Sequence, residues 1–93
     1  ENPKSCSAYN HLGNIYIDEY IKNNYEGDKN LASYYFDISL NLDPYYEQAL
    51  FNKTRVYILE DDLKSAQNLL QKIVDIYPNN VQADILLNEL YEK

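Results

Sequence analysis

Glu47-Gln48-Ala49-Leu50-Phe51-Asn52-Lys53-Thr54-Arg55-Val56-Tyr57-Ile58-Leu59, then Glu60-Asp61-Asp62, then Leu63-Lys64-Ser65-Ala66-Gln67-Asn68-Leu69-Leu70-Gln71-Lys72-Ile73-Val74-Asp75-Ile76-Tyr77-Pro78 is the stretch that decides the fold. Apolar side chains recur at Leu50, Val56 and Tyr57, and again at Leu63, Ala66, Leu69, Leu70, Ile73 and Val74, mostly three and four residues apart, the spacing of one helix face. The acidic run Glu60-Asp61-Asp62 interrupts the pattern and Pro78 closes it. Two amphipathic helices joined by a short acidic turn are the simplest account. Pro44 and Pro78 are 34 residues apart, and Pro3 and Pro44 are 41 apart, so the same plan recurs with one lengthened copy. A period in this range marks stacked supersecondary units that cannot bury their apolar faces alone.

Residues 6–46 repeat the plan at greater length. Tyr9, Leu12, Gly13 and Tyr16 mark a first helix, and Ala32, Phe36, Ser39 and Pro44 mark a second. Gly27-Asp28 reads as the turn between them, with Gly27 free to adopt a left-handed conformation and Asp28 placed to cap the next helix. The seven additional residues fall between Ile17 and Ala32, so a ridge carrying Tyr20 and Tyr25 is expected at that edge. Residues 47–80 form the full unit. Residues 81–93 resemble a first helix again, with Ala83, Leu87 and Tyr91 in place and Asn79 or Asn80 as its cap. The expectation is one all-α domain over residues 1–93, with about five helices.

Tyr9-x-x-Leu12-Gly13-x-x-Tyr16 followed by Ala32-x-x-x-Phe36 and Pro44 resembles the tetratricopeptide repeat signature. The second unit is similar through Leu50, Tyr57, Ala66, Leu70 and Pro78, with Lys53-Thr54 where that family prefers Leu-Gly. The longer first unit also resembles a Sel1-like repeat. The resemblance implies a right-handed helical solenoid of antiparallel helix pairs, in which Gly13, Ala32 and Ala66 permit close helix approach. It also implies that the first helices of successive units line a concave face. Carried over by position, that face comprises Asn10, Asn14, Ile17 and Asp18, then Gln48, Phe51, Asn52, Arg55 and Ile58, then Gln82, Ile85 and Glu89. Amides alternate there with apolar residues, a pattern suited to an extended or helical peptide.

Composition narrows the function classes. The chain has 93 residues, a formal net charge of −7 and scattered basic residues, so it offers no phosphate-tracking stripe and nucleic acid is not an expected partner. Most of its eleven tyrosines are therefore read as helix packing and not as base-stacking platforms, with Tyr57 a packing residue and Tyr45, beside Pro44, a more exposed one. No apolar run approaches the roughly 20 residues of a membrane-spanning helix. Cys6 alone forms no internal disulfide.

Catalytic constellations are weak. Cys6 and His11 lie five apart, on different faces of one helix, without a third member. Glu60-Asp61-Asp62 lacks the glycine and ligand spacing of a calcium loop, so no metal or cofactor is expected. Some tetratricopeptide proteins clamp a C-terminal carboxylate with lysines, asparagines and an arginine; Asn14 and Asn52 stand at the two asparagine positions, but Asn10, Gln82 and Leu86 stand where the clamp's cations belong, and only Arg55 is basic nearby. The function expected is non-enzymatic binding of a protein or peptide partner. The alternative is a spacer or self-association segment of a larger assembly factor. The chain contains no methionine, so a longer parent is expected, with a preceding unit ending at Pro3. Self-association through Leu12, Tyr16 and Phe36 would follow from its loss.

Overall fold

The computed structural model describes residues 5–92 and builds five α-helices in chain order: α1 Cys6–Asn23, α2 Glu26–Leu42, α3 Glu47–Leu59, α4 Leu63–Ile76 and α5 Val81–Tyr91. No strand occurs among the described residues. Pro3 lies outside them.

Local chemistry accounts for most of the helix ends. Ser5 caps α1 by accepting from the Ser7 amide, Asp62 caps α4 by accepting from Ser65, and Asn80 caps α5 by accepting from Ala83. α2 begins without a side-chain cap, and Glu26 and Asp28 instead place negative charge in its first turn. Between α2 and α3 the Asp43 carboxylate accepts from the Tyr45 amide at 3.0 Å, an Asx turn that positions Pro44.

The first turn differs from the sequence expectation. α1 ends at Asn24, which holds the left-handed conformation at φ 58°, while Gly27 and Asp28 lie inside α2. Asparagine tolerates that conformation better than most side chains. The equivalent residue of the second pair is Asp61, at φ 60°. The inserted residues lengthen both helices: α1 has 18 residues against 13 in α3, and α2 has 17 against 14 in α4. Tyr25 is 65% exposed at this edge and its ring lies over Gly27, where a Cβ would approach within 2.6 Å. Tyr20 is half-buried against the core, under the Lys29 ammonium at 5.5 Å. The ridge thus presents Tyr25 and withdraws Tyr20.

α1 and α2 run antiparallel. The Ser39 hydroxyl near the end of α2 donates to the Cys6 carbonyl at the start of α1 at 2.7 Å, while Lys29 near the start of α2 meets Tyr20 near the end of α1. Ile17, Ala32 and Phe36 form one buried cluster with Val56 of α3. A second cluster joins Leu50, Ala66, Leu70, Ile73, Ala83, Leu87 and Leu90, with Leu40 of α2 packed against it. α3 therefore contributes to both clusters and couples the two pairs.

Phe36 is fully buried, so it belongs to no exposed self-association face; Leu12 and Tyr16 are half-buried. Tyr57 packs on the second cluster and Tyr45 is 58% exposed. Tyr57→Ala is accordingly expected to cost about 2–3 kcal/mol, below the range for a fully buried aromatic, and Tyr45→Ala less than about 1 kcal/mol. Urea midpoints of the two variants check the order.

Candidate functional site

The face read from the sequence is carried by α1, α3 and α5. The structure gathers Asn14, Gln48, Phe51, Asn52 and Gln82 around one open pocket of about 370 Å³, with Glu47 and Asn80 completing its lining. The Asn80 side chain holds the α5 end in place twice over. Its oxygen accepts from the Ala83 amide at 3.0 Å and its nitrogen donates to Glu47 at 2.8 Å. Asp18, Gln48, Gln82, Ile85 and Glu89 are exposed, and Asn14, Phe51, Arg55 and Ile58 are half-buried.

Three residues of that face are not free surface. Ile17 is fully buried against Ala32, Phe36 and Val56, because the core of the first pair closes over it. It is a core residue, not a groove residue. Asn10 and Asn52 are buried and bonded to each other. Arg55 Nη1 donates to Asn52 Oδ1 at 3.2 Å, Asn52 Nδ2 donates to Asn10 Oδ1 at 2.9 Å, and Asn10 Nδ2 donates to Gln48 Oε1 at 3.4 Å. The Tyr46 hydroxyl also donates to Gln48 Oε1, at 3.3 Å. This ladder fastens α1 to α3. Phe51 likewise serves packing, resting against the Leu50 cluster while its remaining surface lines the pocket.

The ladder sets an expectation for Asn52→Ala. Removing the amide leaves Asn10 without its buried partner, so the variant should lose about 1–3 kcal/mol of stability. Denaturation by urea checks it. An exposed reader of peptide backbone would show no such loss.

Two lysines to which the sequence analysis gave no role occupy buried positions. Lys53 of α3 donates to Ser33 Oγ and Asp37 Oδ1 of α2, both at 2.7 Å, and its ammonium lies 5.4 Å from the Tyr57 ring centre. Its signal was visible: a lysine on the packing stripe, where the first unit has Leu12. Lys29 pairs with Glu26 at 2.9 Å. The Glu26 carboxylate holds the Lys29 ammonium above the usual lysine range, with burial opposing it.

A larger open groove, of about 460 Å³, lies away from the predicted face. Leu40 of α2 and Leu69 of α4 line its walls, and Leu50 and Tyr57 of α3 its floor. Cys6 is half-buried and His11 exposed. Among the described residues no group of three or more His, Cys, Asp or Glu is arranged to hold a metal ion, and no helix is long and apolar enough to cross a membrane.

No family model matches the chain. Over 79 residues, 85% of its length, the chain is 32% identical to the uncharacterized protein ycf37 of Pyropia yezoensis. The matched stretch covers 40% of that relative, so the chain is similar to a minor part of a longer protein.

Proposed function

We propose that the chain is a non-enzymatic protein-interaction module, a short right-handed solenoid of tetratricopeptide type that takes a peptide or helix of a partner on the face of α1, α3 and α5. The observation that carries this reading is the pocket lined by Asn14, Gln48, Phe51, Asn52 and Gln82. It combines amide donors and acceptors with part of an aromatic ring, the means by which a surface holds a peptide backbone and one apolar side chain. The ladder beneath it holds Gln48 and Asn52 in fixed geometry before a ligand arrives, which lowers the entropy cost of binding.

Peptides selected by the chain from a random display library provide the test. Asn14→Ala combined with Gln82→Ala alters the pocket without touching the ladder. The double variant should bind those peptides at least tenfold more weakly, the loss of roughly 1.4 kcal/mol, with an unchanged melting temperature. Equal affinity in the double variant would remove the pocket from the function.

A second reading, self-association, is favoured by one feature. Tyr35 of α2 stacks between Tyr9 and Tyr16 of α1 at 6.2 and 5.7 Å, with Tyr34 edge-on at 5.3 Å and 58% exposed. Light scattering across a concentration series distinguishes the two readings, since only the second requires a mass that rises with concentration.

A further inference from the structure

We infer that the groove between α2 and α4 is a second interaction surface, and that it takes an acidic amphipathic helix of a partner protein. Its walls are Leu40 and Leu69 and its floor Leu50 and Tyr57, so it offers apolar contact at the bottom. Its volume of about 460 Å³ suits the side chains projecting from one face of a helix.

Charge selects the partner. The chain as a whole carries −7, yet the charged residues lining this groove are Lys53, Lys72 and Asp37. Asp37 already accepts from Lys53 at 2.7 Å. Lys72 is exposed, lies 5.7 Å from the Tyr45 ring centre, and has no carboxylate within 4.0 Å among the described residues. The rim thus keeps one uncompensated cation beside an apolar trough. A partner carrying leucines on one face and carboxylates at its border can bury the leucines over Leu40 and Leu69 while an acid meets Lys72. The net charge of −7 works against an acidic partner on the surface as a whole, so the pairing of a cation with an apolar trough is what favours this groove. This surface is separate from the face of α1, α3 and α5, so either assignment can fail alone.

The test uses the 93-residue chain and a fluorescein-labelled synthetic helix with leucines at i, i+3, i+4 and i+7 and glutamates between them, followed by fluorescence anisotropy at low salt. The glutamate peptide is expected to bind more tightly than a version with glutamines in those places. Lys72→Glu, a change at an exposed residue, should weaken it about tenfold by turning an attraction into a repulsion. Leu69→Asp should abolish binding, with circular dichroism confirming the helices. The Asn14→Ala, Gln82→Ala variant should bind normally. Absence of binding, equal binding of the glutamine peptide, or indifference to Lys72→Glu overturns the inference. So does loss of binding in the Asn14→Ala, Gln82→Ala variant, which would place the helix on the face of α1, α3 and α5, or concentration-dependent dimerisation abolished by Lys72→Glu, which would make a second copy the occupant.

Discussion

Phe36→Ala is expected to destabilise the chain by about 3–5 kcal/mol, the cost of emptying a fully buried aromatic site. Phe36 is 0% exposed and stands among Ile17, Ala32 and Val56, so the cavity would be lined by α1, α2 and α3 together. Rigid helix backbones cannot collapse into it, and the lost contacts have no replacement. Domains of this size hold only about 5–15 kcal/mol in total. The variant should therefore unfold at a much lower urea concentration, and the first helix pair should open before the second. Circular dichroism with tyrosine fluorescence follows both events.

The second large effect is at Gly13, and it is tied to the first. A Cβ at Gly13 would lie 2.4 Å from Phe36 Cε1, 2.6 Å from Cδ1 and 2.8 Å from Cζ, closer than carbon atoms can approach. The ring is enclosed and cannot step aside. Gly13→Ala should therefore cost about 1–3 kcal/mol even though alanine is the better helix former. In the second pair the matching positions hold Thr54 and Leu70, a larger residue opposite a smaller one. Phe36→Leu in the Gly13→Ala background should accordingly restore part of the lost stability. The double-mutant cycle should give a coupling of about 0.5–3 kcal/mol. Strict additivity would show that the two residues do not share one space.

The proline spacing made the alignment of Gly13 with Thr54 and of Phe36 with Leu70 legible in the sequence, while the exchange of bulk between the units emerges from the contact of Gly13 with Phe36. Helix number and a cap at Asn79 or Asn80 were legible because they depend on neighbours a few residues away; Asp62 was read only as part of an acidic turn, and it caps α4. The turn at Gly27 was misread because two residues there can adopt a left-handed conformation. Glycine is the usual choice, but α1 stops at Asn24 and the acidic start of α2 takes Gly27 into the helix. Ile17 was placed on the face by its match to Ile58, yet Ile58 is half-buried and Ile17 wholly enclosed, since Val56 reaches across into the first cluster. Asn10 and Asn52 lie 42 residues apart in sequence, and periodicity cannot distinguish an amide that meets water from one that meets another amide. The lysine at position 53 was visible on the packing stripe, but its bonding was not. Its partners Ser33 and Asp37 lie on the preceding unit, and only the packing of α3 on α2 brings them within 2.7 Å.

We propose that the face of α1, α3 and α5 holds a peptide on a framework prearranged by the Asn10–Asn52 ladder. Amide chemical-shift mapping on the ¹⁵N-labelled chain, titrated with a display-selected peptide, checks this residue by residue. Shifts should concentrate at Asn14, Phe51, Gln82 and Ile85, and Ile17 should move little because it is enclosed. Shifts spread over α2 and α4 instead, or an unperturbed α1, α3 and α5 at saturating peptide, would contradict the assignment.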